Sequence, residues 1–277
     1  MENIKLEVED ILNEYLNKCN YDILIKDGMR YVLNNGKRIR SCLTLSMMKN
    51  LNPRVYEKSK YLCLIPEFIH TSSLIIDDLP AFDNATYRRG QKCIHLIKNE
   101  GIAYLVAINL VTDSLLLLHE NLKNLNKVIS MDEIYNQYVN NMLVIIDNIS
   151  GSKAISGQLK SSYKNKDLVS YDEMLDIISK KTYPFFEIAI LIGWISSFGD
   201  PEKIPQLKRL SYLIGLCYQI KDDLLDYDED MEKDNCNYVI FRGKEQSKKD
   251  FEKFKSEIDS LIEDNNFNFF KLDFLSN

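Results

Sequence analysis

Apolar side chains recur along this chain at intervals of three and four. Ile4, Val8, Ile11, Leu12 and Tyr15 form the stripe of an amphipathic first helix over Ile4–Leu16. Asn34-Asn35-Gly36 reads as a turn, and Leu43–Met48 as the helix that follows it. The pattern then predicts one long helix over Tyr61–Asp78 with an early Pro66, a mostly apolar helix over Gly101–Leu118, and a helix over Met131–Ile149. Asn124–Ser130 is a polar connection in which Ser130 is placed to cap the helix after it. Ser170 and Glu173 have the spacing of a capping box. Tyr183–Ser197 is nearly all apolar, the pattern of a buried helix, and Gly199-Asp200-Pro201 closes it. Ile204–Asp226 and the charged stretch Lys244–Glu263 are the last helical patterns, and Asn265–Asn277 is expected to fray.

Composition strengthens the helical reading. The chain has 277 residues, 45% of them hydrophobic, with only ten glycines and six prolines, which favours long helices over a turn-rich β fold. No Gly/Ser/Pro-rich linker and no fixed-period repeat divides it, so the expectation is one all-α domain over residues 1–277. A net charge of −6 argues against a general nucleic-acid binder. The cysteines, Cys19, Cys42, Cys63, Cys93, Cys217 and Cys236, are scattered without a Cys-x-x-Cys pair, as reduced thiols of a cytoplasmic protein would be. Met1–Asp10 is acidic and is neither a signal peptide nor a basic transit segment. Leu115–Leu118 is read as a short buried patch, and no transmembrane segment is expected.

Chemistry enters where apolar runs meet acids. Leu74–Ile76 leads directly into Asp77 and Asp78, Asp83 follows past Pro80, and Arg88-Arg89-Gly90 comes next. Three carboxylates suit Mg2+, a hard cation that takes oxygen ligands, and arginines beyond them suit phosphate. Asp77-Asp78 by itself fits a solvated turn about as well. The second stretch, Gln219-Ile220-Lys221-Asp222-Asp223-Leu224-Leu225-Asp226, changes the balance. Asp222 and Asp226 share a helical face, where like charges repel unless a cation is bound. Lys37, Arg38 and Arg40 crowd a helix start, against the helix dipole, which makes sense if an anion sits there. A basic turn of this kind is otherwise simply solvated. His70 lies two helical turns before Asp77, on roughly the same face. No Ser/His/Asp or Cys/His nucleophile set is evident, and His95 reads as structural.

Asp77-Asp78-x-x-x-x-Asp83, Arg88-Arg89-Gly90 and Asp222-Asp223-x-x-Asp226, in that order, resemble the motifs of trans-isoprenyl diphosphate synthases. The resemblance covers roughly Tyr31–Tyr238. It implies an isoprenoid-synthase-type helical bundle, all-α, around a central cavity faced by both aspartate clusters. It implies a Mg2+-dependent prenyltransferase with three ions per site, held by Asp77, Asp78, Asp83, Asp222, Asp223 and Asp226. Carried over residue by residue, Lys37, Arg40, His70 and Arg89 would hold isopentenyl diphosphate. Arg88, Lys181 and Thr182 would hold the allylic diphosphate, with Gln219 beneath the second motif and Lys233 in the loop after it as further substrate contacts. Asp77, Asp78, Asp83, Asp222 and Lys181 would carry catalysis. The resemblance also implies a homodimer, with the Gly101–Leu118 helix lining its interface and the product tunnel.

The chain departs from the family pattern at several positions. Ser41 stands where proline is usual, Ile76 where histidine is common and Asn109 where aspartate often stands. In Gly157-Gln158-x-x-Ser161, Ser161 replaces an aspartate, and the loop after Asp226 is short. Ser72 and Ser73, five and four residues before Asp77, are small where fifteen-carbon synthases commonly carry an aromatic floor. A longer product, geranylgeranyl diphosphate, is therefore expected, with Tyr104 and Leu105 as candidate floor residues. Farnesyl diphosphate synthesis, a terpene cyclase and a non-catalytic partner subunit are the alternatives. The cyclase has no need of the second anion site at Lys37, Arg40 and His70, and a partner subunit typically loses motif aspartates.

Overall fold

A computed structural model describes residues 2–125, 130–163, 170–228, 231, 237–270 and 272–275. Its contacts gather into two compact units: Met1–Met142 with Ile192–Phe198, and Leu143–Leu191 with Gly199–Asn277. Both are helical, as expected of an all-α chain.

The first unit contains α1 (Glu2–Lys18), α2 (Ile23–Leu33), α3 (Ile39–Leu51), α4 (Pro53–Ser59), α5 (Ile65–Asp77), the short α6 (Ile94–Ile97) and α7 (Glu100–Leu125). The unit boundaries fall within α8 (Met131–Ile149) and α10 (Tyr171–Ser196). Every residue of α3 from Ile39 to Met48 is buried, so α3 shows no amphipathic stripe and lies at the centre of the unit. Small residues allow close helix crossings. A Cβ on Gly28 would lie 2.6 Å from Val106 Cγ2, and the Ser72 hydroxyl donates to the Ala107 carbonyl at 2.9 Å. Ser130 caps α8 as expected, accepting from the Glu133 N–H at 3.3 Å.

Three expectations need correction here. The predicted Tyr61–Asp78 helix is broken: Lys60–Leu64 is a 3-10 turn, and α5 begins at Ile65, where Pro66 is accommodated in the first turn. α7 is long and apolar enough to cross a membrane by length and composition, against the expectation that no run would be; its most apolar window has mean hydropathy 1.9 and is 44% buried in the protein. That helix includes Asp113, which is 1% exposed and accepts from the Tyr21 hydroxyl at 2.7 Å. Tyr104 and Leu105, named as tunnel-floor candidates, are exposed; the inward face of α7 is Ala103, Val106, Ala107 and Leu110.

The second unit contains α9 (Ala154–Tyr163), α11 (Ile204–Leu225), α12 (Tyr238–Arg242) and α13 (Lys244–Asp264), with most of α10. The capping box forms: Glu173 N–H donates to Ser170 Oγ at 3.3 Å, and Ser170 N–H to Glu173 Oε2 at 3.3 Å. α10 runs unbroken through Pro184 into its apolar half, where Phe186, Ile188, Ala189 and Leu191 are fully buried. Gly215 lets α11 approach α10, since a Cβ there would lie 2.7 Å from Tyr183 Cα. The segment after Asn265 was expected to fray. Its described residues pack instead: Phe267 and Leu275 are buried, Phe274 stacks on Phe186 at 6.1 Å, and its carbonyl accepts from Lys221 Nζ at 3.1 Å.

Candidate active site

α5 buries Ile65, Phe68, Ile69 and Ile75 and ends where Asp78 caps it. Pro80 has no N–H to continue the helix, and the chain folds back. The Asp83 N–H donates to the Asp77 carbonyl at 3.0 Å, and the Ala85 N–H to the Asp78 carbonyl at 3.1 Å. The third aspartate thus returns to the first, as the spacing predicts. The side chains differ in surroundings: Asp77 is half-buried, Asp83 is exposed and Asp78 is 5% exposed. Asp78 Oδ1 accepts from Arg88 Nε at 2.9 Å and Nη2 at 2.6 Å, while Oδ2 accepts from the Cys93 thiol at 3.4 Å. Burial and the Asp78 charge push the Cys93 thiol up to about 12, so it stays a protonated donor. Burial is the largest influence and opposes the Arg88 charge, but the bond to Asp78 and the negative fields of Asp78 and Asp77 together outweigh it and raise its pKa.

A two-residue hairpin follows. β1 (Tyr87–Arg88) pairs antiparallel with β2 (Gln91–Lys92), Arg88 opposite Gln91. Arg89 and Gly90 make the turn at φ 53° and 76°. Positive φ at both central residues is the turn that matches strand twist, and it is easy for glycine but strained for arginine. Arg89 is tied down on both sides of its fork, donating to the Val32 carbonyl at 3.2 Å and to Glu67 Oε1 at 3.1 Å.

Of the three cations in the basic loop, one is structural. Arg38 is 2% exposed, left-handed at φ 58°, and bound to Glu9 (Nε to Oε1, 2.9 Å), to Glu67 (Nη1 to Oε1, 2.8 Å) and to the Leu33 carbonyl. Lys37 is exposed, and Arg40 is buried in the first turn of α3. Burial, followed by the positive fields of Arg40, Arg89 and Arg88, holds His70 well below its ordinary pKa. His70 is therefore neutral at pH 7, and the first unit brings it within electrostatic reach of three guanidiniums.

The second motif ends α11. Asp226 caps the helix, donating its N–H to the Asp222 carbonyl at 3.0 Å; Asp222 is half-buried and Asp226 exposed. Asp223 is 4% exposed and turned inward, where Oδ1 accepts from Gln219 Nε2 at 2.7 Å and Oδ2 from the Tyr238 N–H at 2.6 Å. Gln219 Oε1 in turn accepts from the Thr182 hydroxyl at 2.5 Å. Both ends of the Gln219 amide are thus engaged within the protein, joining α10 to α11. Lys181, beside Thr182, is exposed. The Ser161 hydroxyl turns back to the Gln158 carbonyl at 2.9 Å. Lys233 lies outside the described residues.

Among the described residues, no three His, Cys, Asp or Glu side chains form a ready-made metal cage. Carboxylates at half-buried and exposed positions nonetheless suit Mg2+, which is commonly held by one or two carboxylates and completed by water and substrate phosphates. By exposure Asp77, Asp83, Asp222 and Asp226 fit that pattern, while Asp78 and Asp223 are buried and accept bonds from protein donors.

The family model for polyprenyl synthetase matches residues 23–239. The chain belongs to the polyprenyl synthetase family. It is 30% identical over 256 residues to a chloroplastic geranylgeranyl pyrophosphate synthase of Arabidopsis thaliana, covering 87% of this chain and 69% of that protein. It is equally 30% identical to a farnesyl diphosphate synthase of Micrococcus luteus, covering 85% of this chain and 84% of the relative. A geranyltransferase structure from Legionella pneumophila superposes with TM-score 0.81 at 23% identity, covering 95% of this chain and 89% of that one. One from Helicobacter pylori, complexed with magnesium and isoprenyl diphosphate, superposes with TM-score 0.76 at 23% identity, covering 95% of this chain and 90% of that one. The all-α expectation holds, and as a polyprenyl synthetase the chain is a trans-prenyltransferase of a Mg2+-dependent family.

Several residues in this polyprenyl synthetase were missed by sequence reasoning. Glu67, Cys93 and Tyr238 all hold members of the motifs. Only Glu67 carried a signal, a charged residue at a core-facing position of an apolar helix.

Proposed function

We propose that this protein condenses isopentenyl diphosphate with an allylic diphosphate, head to tail, to give geranylgeranyl diphosphate. The observation that carries the reading is the basic cluster of the first unit, where Arg40, Arg88 and Arg89 all act on His70. One diphosphate does not call for so many cations beside an aspartate motif that already recruits Mg2+; two diphosphates do. This favours a condensing enzyme over a terpene cyclase. Six retained motif aspartates speak against a non-catalytic partner subunit.

Bound through Asp77, Asp83, Asp222 and Asp226, with three ions per site, Mg2+ would neutralise charge developing on the leaving diphosphate. Arg88 and Lys181 grip that diphosphate. Arg88 can do so by exchanging its Asp78 partner for phosphate, because its side chain is 40% exposed. Lys37, Arg40, Arg89 and neutral His70 fix isopentenyl diphosphate so that its double bond meets the allylic carbon. Thr182 and Gln219 brace the second motif from below. The departing diphosphate takes the final proton, so no protein nucleophile is needed.

Ser73, whose hydroxyl turns back to the His70 carbonyl at 2.8 Å, puts no aromatic floor on the α5 side of the chain's path, which supports a twenty-carbon product, whereas Ser72 is taken up in the crossing with α7. Farnesyl diphosphate is the second reading, since relatives at the same identity include a farnesyl diphosphate synthase. The outward face of α7, with Tyr104, Leu105, Ile108 and Leu116 exposed, supports a homodimer. The described cysteines are free thiols, in keeping with a cytoplasmic enzyme. The test is purified protein with Mg2+, isopentenyl diphosphate and each of the five-, ten- and fifteen-carbon allylic diphosphates, products separated by length. Twenty-carbon product is expected from all three. Fifteen carbons alone would refute the length assignment, and no product from any would refute the synthase reading.

A further inference from the structure

We infer that Glu67 is a positioning residue for the isopentenyl diphosphate side of the site, an inference that rests on the function proposed above. Glu67 lies on the first turn of α5, ten residues before Asp77, and is 3% exposed. Burying a carboxylate there is unfavourable unless it is paired. Its Oε1 is shared by two guanidiniums from separate loops: Arg38 at 2.8 Å from the basic turn and Arg89 at 3.1 Å from the hairpin tip. Thr71, one turn along α5, adds its hydroxyl at 3.4 Å.

The surroundings are shaped for this junction. A Cβ on Gly36 would lie 2.2 Å from Arg38 Nη1 and 2.9 Å from Glu67 Oε1, so the turn passes closely only because Gly36 has no side chain. Arg38 and Arg89 both adopt left-handed backbone. Such strain persists where surrounding contacts over-determine it. One carboxylate thus fixes two loops, one flanked by Lys37 and Arg40, the other carrying Arg88 and Arg89. Arg88 faces Asp78 and does not touch Glu67, so the hold falls on the isopentenyl side.

Positioning and bare electrostatics predict opposite signs. Removing a negative charge beside an anion site strengthens anion binding if only the field matters. If Glu67 positions Arg89 and the basic turn, its removal weakens binding instead. In Glu67→Gln the KM for isopentenyl diphosphate should rise about tenfold or more, while kcat and the KM for the allylic diphosphate change less than about twofold. Arg89→Gln should raise the same KM, and Glu67→Gln with Arg89→Gln should be much less than additive, since both changes remove one interaction.

An unchanged or lowered KM for isopentenyl diphosphate in Glu67→Gln would overturn the inference. So would equal rises in both KM values, or full additivity in the double variant, each of which marks a general structural role. If Glu67→Gln is not recovered folded, Glu67→Asp keeps the charge but retracts it, and the same selective rise is expected. Inorganic pyrophosphate binding, measured by calorimetry on the full chain, separates the two levels of the argument. Should wild type bind pyrophosphate but make no prenyl product, the functional reading fails, and weaker binding by Glu67→Gln still supports the positioning role. Unchanged or tighter pyrophosphate binding in that variant defeats it.

Discussion

At the end of α5, Asp78 is held by a guanidinium and a thiol; at the end of α11, Asp223 is held by a side-chain amide and a backbone N–H. In both motifs the second aspartate of the pair is turned into the protein, and the first and third remain nearer the surface. The shared arrangement is compatible with helical geometry, since neighbouring residues on a helix point about 100° apart, so one of a pair can turn inward while the other stays near the surface. The partners differ in what they permit. Arg88 is a mobile-headed cation with a second potential client, a phosphate, so its grip on Asp78 can be exchanged. The Tyr238 N–H is backbone and cannot leave without moving α12. On the proposed function the hold on the first motif can be exchanged for a ligand, and the hold on the second cannot.

The largest expected effects are on turnover. Asp77→Ala and Asp222→Ala should each lower it by roughly 10²–10³-fold or more, with melting temperature almost unchanged, because removing one of several like charges relieves repulsion. Isopentenyl incorporation in the presence of Mg2+ measures this. Wild-type-like turnover in either variant would break the parallel between the motifs.

The inward aspartates should separate the motifs by stability. Asp223→Asn sets an amide against fixed N–H donors in a buried place and should cost about 2 kcal/mol. Asp78→Asn weakens an ion pair whose arginine is 40% exposed and solvent-screened, at under about 1 kcal/mol. Urea unfolding ranks the two. A larger loss from Asp78→Asn would reverse the contrast between fixed and exchangeable holds.

Acid should find the first motif. His70 is held below its ordinary pKa by burial and by Arg40, Arg89 and Arg88, so its unfolded form binds a proton first. Its contribution to stability is full above an unfolded pKa of about 6.5 and is lost as pH falls toward the depressed folded value. His70→Gln should flatten the fall in melting temperature between about pH 7 and pH 5. A variant that melts in parallel with wild type over that range would place the acid sensitivity elsewhere. The smallest effect is expected of Cys93→Ser, which keeps a donor to Asp78 Oδ2 and should alter stability by no more than about 0.5 kcal/mol.

Much of this was legible in the sequence. The 3.6-residue stripe located α1, Ser130 as a cap located the start of α8, the Ser170-x-x-Glu173 pair located the start of α10, and the run into Asp77 located the end of α5. The return of Asp83 was readable from Pro80 and the spacing. What was hidden depends on partners distant in the chain. Nothing local marks Glu67 as the meeting point of Arg38 and Arg89, which lie 29 residues before it and 22 after. The inward turn of Asp223 depends on Tyr238, 15 residues on. A two-residue hairpin is too short for alternation to reveal it, and the break at Leu64 leaves the apolar pattern undisturbed because a 3-10 turn shifts phase by only a fraction of a residue per step. Tyr104 and Leu105 were misplaced because α7 is apolar on its outward face as well.

Gly157 has a dynamic consequence. A methyl there would lie 2.7 Å from Lys180 C and Lys181 N, so α9 rests on the α10 main chain itself. Ordinary helix pairs are separated by a layer of side chains whose rotamers absorb small displacements. At Gly157 that cushion is missing, so the two helices are directly coupled at this point. Lys181 therefore has its backbone anchored at that contact, while its exposed, flexible side chain keeps its own freedom.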